Sequence, residues 1–253
     1  MAEKQDEEKY PGEANQMVSL LPPTYSHTVG LDALRTVESL KIKQIPSLSE
    51  IICGIPSQAK FDIFNERNER IFQALETSSF WQRCFCTNRR RFTLRIINNI
   101  NQDIILIRRE FKCCSGCCWC ANTQCCKQEL TVESPPGTVI GTVSQKGSCC
   151  RYTYEINDAN DTLIFTLVGP AIIFDGPLTC CCENKFTLLG TDGVTEIGAI
   201  YKKYRGFLSE AFSSADAFLL EFPMDLDVKM KAVALGALFL IDFMLFSTVP
   251  GSN

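Results

Sequence analysis

Five cysteines fall within eight residues, Cys113, Cys114, Cys117, Cys118 and Cys120, directly after a basic stretch. Thiols at this density have three uses. Cys-x-x-Cys occurs in several registers, as a structural zinc site requires. Adjacent thiolates would crowd a tetrahedral ion, however, and the chain's one histidine, His27, is remote. A loop of cysteines can also pack as small hydrophobes. Thioacylation fits best. Arg89, Arg90, Arg91, Arg95, Arg108, Arg109 and Lys112 lie beside the cluster and give the second signal that stable anchoring needs. Each buried methylene adds ~0.8 kcal/mol, and each Lys or Arg near an anionic leaflet adds about 1 kcal/mol. Fifteen cysteines in all, most in adjacent pairs or in the Cys180 to Cys182 triplet, argue against a disulfide framework, because neighbouring residues rarely present converging Cβ vectors. The acidic amino terminus has no apolar h-region, so no secretory signal is expected and the thiols should stay reduced in the cytosol.

A second constellation is acidic. Asp216, Glu221, Asp225 and Asp227 gather just before an apolar run, and clustered oxygen ligands suit a hard cation such as Ca²⁺. The spacing is not that of an EF-hand. The same acids could instead cap the helix that follows and favour its dipole. Near the amino terminus, Pro22, Pro23 and Tyr25 form a Pro-Pro-x-Tyr pattern of the kind WW domains bind in polyproline-II form. Enzyme constellations are missing: the sequence has no histidine outside the tail, no phosphate-cradling glycine loop and no Gly-x-Ser-x-Gly elbow. A formal net charge of −4 gives no case for nucleic-acid binding.

These residues need elements to position them. Residues 1–45 read as a flexible, Pro-containing tail, and residues 46–253 as one domain of a size that suits a single β-barrel. Phe61 to Phe64, the polar run Asn65 to Asn68 and then Ile71-Phe72 read as strand, turn, strand. Tyr154 to Ile156, Asn157 to Asn160 and Leu163 to Phe165 repeat the arrangement, with Asn65 matching Asn157 and Asn68 matching Asn160. A second echo relates Cys126 to Val132, Gly137 and Gly141 to Cys182 to Leu188, Gly193 and Gly198. Short strands in two similar arms predict a mainly β, closed barrel rather than a solenoid. The carboxy-terminal run, a hydrophobic helix over 228–248, has an apolar core of about fifteen residues spanning roughly 22 Å, short of a hydrocarbon core of about 30 Å. Apolar all round, it must be buried, and a barrel lumen can hold it.

The sequence resembles the phospholipid scramblases. The likeness runs from about Ile51 to Phe246. It rests on Phe92-Thr-Leu-Arg-Ile-Ile97, the cysteine cluster, Pro135-Pro-Gly137 with Ile140-Gly141, Glu210-Ala-Phe212, and above all Phe222-Pro-Met-Asp-Leu-Asp-Val-Lys-Met-Lys-Ala232 leading into Phe239-Leu-Ile-Asp-Phe-Met244. The resemblance implies a Tubby-like barrel around the hydrophobic helix, palmitoylation at the cysteine cluster, Ca²⁺ binding just before the helix, and Ca²⁺-stimulated, ATP-independent, bidirectional movement of phospholipids between leaflets. This chain departs from the family where Ser214 replaces an acid, which leaves Asp216, Glu221 and Asp225 to carry a weak site. Expected partners are membrane phospholipids, WW-domain proteins and further copies of the chain. The expected location is the cytoplasmic face of the plasma membrane, through palmitoylation with or without a single carboxy-terminal span. A rival reading is a palmitoyl-anchored adaptor whose helix fills the barrel. Asp242 separates the two, because a carboxylate is costly in hydrocarbon but can find a partner at a barrel mouth.

Overall fold

The computed structural model describes residues 30–47, 52, 57–114, 116–173, 184–203 and 217–246. Twelve antiparallel strands close into a barrel in the order β1-β12-β11-β10-β9-β8-β7-β6-β5-β4-β3-β2, so every strand pairs with its sequence neighbours and β1 closes the ring between β12 and β2. The strands are β1 (Ser39–Gln44), β2 (Lys60–Phe64), β3 (Arg70–Thr77), β4 (Phe92–Ile97), β5 (Asp103–Arg109), β6 (Glu129–Glu133), β7 (Val139–Lys146), β8 (Thr153–Asp158), β9 (Leu163–Val168), β10 (Asn184–Leu189), β11 (Glu196–Lys203) and β12 (Ala217–Glu221). A short helix α1 (Phe80–Phe85) follows β3, and α2 (Val228–Ile241) follows β12. The mainly β closed barrel around a carboxy-terminal helix agrees with the expectation.

Whereas β5 buries the continuous run Ile104 to Ile107, burial alternates along most strands, with a mainly apolar set facing inward. Leu40 and Ile42 of β1 are buried in this way, as are Phe92, Leu94 and Ile96 of β4. That finding corrects the predicted tail. Residues 30–44 belong to the barrel, because Ser39-Leu-Lys-Ile-Lys-Gln44 has strand alternation and supplies the strand that closes the ring. Residues 1–29 lie outside the described residues.

The predicted repeat is present, displaced by one residue in its first echo. Asn65, Asn98 and Asp158 each begin the same turn. Each side-chain oxygen accepts from the backbone two and four residues on, as in Arg67 and Glu69 on Asn65 and Asn160 and Thr162 on Asp158. The fourth turn residue then takes a left-handed conformation at Asn68, Asn101 and Asp161. Asp158 is therefore the counterpart of Asn65, because the turn needs an acceptor side chain at its first position and either Asn or Asp provides it. These backbone N–H groups, Thr162 foremost, hold the Asp158 carboxyl below its usual range. The second echo agrees with the structure: Gly137 and Gly193 both have positive φ, at +96° and +68°. Register shifts near the turn in all five hairpins from β2–β3 to β10–β11 mark the same construction and let the sheet curl to closure.

α2 threads the lumen. Every residue from Val228 to Ile241 except Lys229 is buried, which an all-apolar surface requires. A five-residue π-turn, Asp242–Phe246, continues it, so the helical rod matches the predicted 228–248 as far as it is described. Among the described residues no helix is long and apolar enough to cross a membrane. The amino-terminal end of α2 lies with the tight turns, and its carboxy-terminal end lies with the long connections that carry the cysteines.

Candidate functional site

The cysteine loop between β5 and β6 is folded against the exit of the central helix. Gly116, at φ +85°, passes so close to Met244 that a Cβ would come within 2.6 Å of its methyl. Gln128 donates to the carbonyls of Cys114 and Cys126 at 3.1 and 2.9 Å, and Gln145 donates to that of Gly116 at 2.8 Å. Arg89 donates to the Cys113 carbonyl at 3.2 Å. Beside this junction an open cleft of about 440 Å³ is lined by Asn88, Cys117, Tyr152, Ile173, Met244 and Leu245, among others.

The five candidate acylation sites are brought together but are not equivalent. Disulfides join Cys114 to Cys126 and Cys117 to Cys120. The expectation of reduced thiols is thus not met at these four positions, since the loop folds back to bring non-neighbouring Cα atoms within 4.8 and 5.8 Å. Cys113 and Cys118 are free. Burial pushes the Cys118 thiol up, whereas Cys113 is exposed between Arg89 and Lys112, the better setting for a nucleophile. The sulfurs of Cys113, Cys114 and Cys126 lie within 4.8 Å of one another, so these three could also ligate a soft metal once reduced.

The basic stretch divides in two. Arg89 and Arg91 remain exposed at the loop surface and the half-buried Lys112 pairs with Glu129 at 3.3 Å, whereas Arg90 and Arg109 continue the inward alternation of β4 and β5 and are buried. Arg90 pairs with Glu76 at 2.9 Å and covers the Phe243 ring. Arg109 donates to Asn88 O at 2.6 Å and to Gln128 Oε1, its Nε and Nη1 having no partner. Burial lowers its pKa to about 10, so it stays charged at neutral pH. Buried as they are, these two support the core.

The acidic segment sits at the other end. Asp216 and Ser214 lie outside the described residues, as do Pro22, Pro23 and Tyr25. Glu221 ends β12, opposite Ser39 and Ala199. Asp225 is exposed. Asp227 caps α2, accepting from Lys229 N at 2.9 Å and Met230 N at 3.4 Å, which is the capping alternative. Directly beneath lies a feature that sequence reasoning missed. The buried Lys231 ammonium donates to the carbonyls of Val37 and Met224 at 2.8 Å, of Leu34 at 3.1 Å and of Arg35 at 3.4 Å. Burial lowers its pKa, and Glu66, Asp225 and Glu38 oppose that shift. A cation of the chain therefore already occupies the carbonyl cage. Ca²⁺, which takes six to eight oxygens, would find only Glu221 and Asp225 uncommitted to the cap among the described candidates. Among the described residues the fit to Ca²⁺ is incomplete.

Asp242 has the barrel partner that the buried-helix reading requires. Its carboxylate lies 3.9 Å from Lys202 Nζ, both side chains being buried, and Lys202 also faces the rings of Phe218 and Phe246 at 4.3 and 5.0 Å. Lys202 shares the inward face of β11 with Ile200, a signal visible in the sequence only once the strand register is known.

A closed barrel enclosing an apolar helix, with a cysteine loop at its exit, can now be set against known proteins. The family model described as Scramblase matches residues 17–248. The chain belongs to the Scramblase family. Phospholipid scramblase 1 of Mus musculus is 36% identical over 225 residues, covering 89% of this chain and 66% of that protein. Phospholipid scramblase 2 of Bos taurus is 35% identical over 245 residues, 96% of this chain and 80% of the relative. Phospholipid scramblase family member 5 of Homo sapiens is 37% identical over 226 residues, 88% and 79%. The chain spans 64–66% of the length of the first three relatives it matches. No solved structure gives a significant match.

Proposed function

We propose that this chain takes part in phospholipid transport at a membrane, moving phospholipids between leaflets in both directions without ATP and in response to Ca²⁺. The family match over residues 17–248 carries the reading. It is supported by a thiol-rich, basic loop suited to acyl anchoring, and by an acidic turn at the start of the central helix, where a bound cation could order or shift that helix. Reconstitution in vesicles with a fluorescent lipid in both leaflets tests it. The expected result is Ca²⁺-dependent loss of leaflet asymmetry of the probe without nucleotide, and no acceleration over empty vesicles would overturn it.

A second reading is favoured by the buried Lys202 and Asp242 pair: a palmitoyl-anchored adaptor whose helix never leaves the barrel. Alkaline carbonate extraction before and after hydroxylamine separates the two modes of attachment. Hydroxylamine cleaves thioesters and would release an acyl-anchored protein, whereas a spanning helix would stay in the pellet.

Two further expectations attach to the proposal. Asp225→Ala should weaken Ca²⁺ binding more than Asp216→Ala, because Asp225 adjoins the helix entry and carboxylate count tunes such affinities. Calorimetry on the full chain reads this, and equal affinities for both variants and the wild type would leave only capping. Tyr25→Ala should abolish WW-domain capture while leaving thermal unfolding unchanged, since the motif precedes Ser39, where the strand that closes the ring begins. Equal recovery of both forms in a pull-down would remove WW proteins as partners.

A further inference from the structure

In an up-and-down barrel the connections alternate between two ends, and in this one the ends differ in chemistry. Phe80, Trp81, Phe85, Phe111 and Trp119, exposed at 46, 67, 70, 50 and 77%, are all the exposed large aromatics among the described residues. All five lie in the connections β3–β4 and β5–β6, and they include both tryptophans of the chain. Trp81 and Phe85 stack at 5.8 Å with 12° between their planes, as an i,i+4 pair on one face of α1 does. Exposed apolar residues at the opposite end, such as Ile100 and Val194, are single aliphatics in separate turns.

The charges of the described residues divide in the same way. The described connections at the aromatic end carry seven Lys and Arg against one acid, Glu110; of the seven Arg90 is buried and Lys112 is half-buried against Glu129. The turns at the other end, with segments 30–38 and 222–227, carry eight acids against two arginines. The free cysteines among the described residues, Cys113 and Cys118 included, all lie in connections of the aromatic end.

We propose that the aromatic end docks the barrel upright on a bilayer that carries anionic phospholipid, before and independently of any acyl chain. Tryptophan and phenylalanine rings seat at the headgroup level, and surrounding cations are drawn to the negative leaflet. The acidic end is repelled, which fixes the orientation. Docked so, the cleft at Met244 and Leu245 opens onto lipid, and thioesters on Cys113 or its neighbours would enter the same leaflet. Charge complementarity selects an anionic bilayer over a neutral one. The proposal rests on the membrane reading of the chain and not on lipid movement.

The test uses the full chain made without acylation and vesicles of phosphatidylcholine with or without phosphatidylserine. Because both tryptophans lie at this end, their emission should shift to the blue and be quenched by brominated acyl chains, only with phosphatidylserine and less at high salt. In cosedimentation, Trp81→Ala with Phe85→Ala should weaken binding by roughly tenfold, as should Arg89→Glu with Arg91→Glu, while Val194→Ala at the far end leaves it unchanged. Trp119→Ala is a second route to the same loss should the double variant not fold. Several results would overturn docking: no quenching, equal binding to neutral vesicles, equal weakening by Val194→Ala, or tryptophan burial that follows protein concentration without vesicles and so reports self-association. A chain that docks but moves no lipid in the reconstituted assay would sink the transport reading alone, and lipid movement without tryptophan quenching would sink docking alone.

Discussion

Replacing Lys231 by Met should lower the unfolding free energy by about 3–5 kcal/mol, because it leaves several buried acceptors without a donor. The ammonium accounts for four backbone carbonyls, three from the segment before β1 and one from the turn before α2. Met keeps the length and packing of the stem, so the loss isolates the polar head. The consequence reaches beyond the cage. Those carbonyls tie residues 34–37 to the start of the central helix, and Ser39 begins the strand that closes the ring. Urea denaturation of the full chain reads the effect, with Lys229→Met on the same helix as a control expected within about 0.5 kcal/mol. A midpoint for Lys231→Met no lower than that of the control would show that water or nearby donors replace the ammonium without cost.

Replacing Cys113, Cys114, Cys117, Cys118 and Cys120 by Ser should move most of the protein from the membrane pellet to the soluble fraction in cells. The change should exceed about tenfold, since acyl chains bind through ~0.8 kcal/mol per buried methylene while the remaining contacts are screened by salt. The disulfides divide the cluster, so a second variant is informative. Cys113→Ser with Cys118→Ser leaves both bridges intact and should reproduce most of the loss if the free thiols carry the chains. Unchanged partitioning of the five-site variant at physiological salt would remove acylation as the anchor and leave the aromatic end to do the work.

Much of the barrel was legible because strands and turns are local. Phe61, Ile63, Tyr154 and Ile156 alternate with polar neighbours, and Asn65 and Asp158 have the short acceptor side chains that their turns demand. The misplacement of the second turn by one residue came from matching Asn to Asn, when the physical requirement is an acceptor that Asp also meets. β1 was missed because its inward residues are only Leu40 and Ile42, between lysines that read as tail. The charged residues of the site were the least legible. Arg90 and Arg109 look like surface cations in a basic stretch, and Lys231 looks like the flank of an apolar run.

By itself the sequence determined the fold class, the apolar helix too short for a bilayer, the family, and the crowding of thiols beside cations. Each of these is written in neighbouring residues, through a period of two, a helical run or a turn signal. Only the tertiary structure decided which charges are inside. Alternation defines two faces of a strand, but which face is the lumen, and what waits there, depends on residues far away in the chain. Lys231 meets the carbonyl of Leu34 across 197 positions, Asn88 reaches Met244 across 156, and Lys202 meets Asp242 only because α2 runs the full length of the barrel. The polarity between the two ends has the same origin. Successive connections alternate ends, so among the described residues loops that mix acidic and basic along the sequence are sorted into a basic, aromatic end and an acidic one only when the barrel closes.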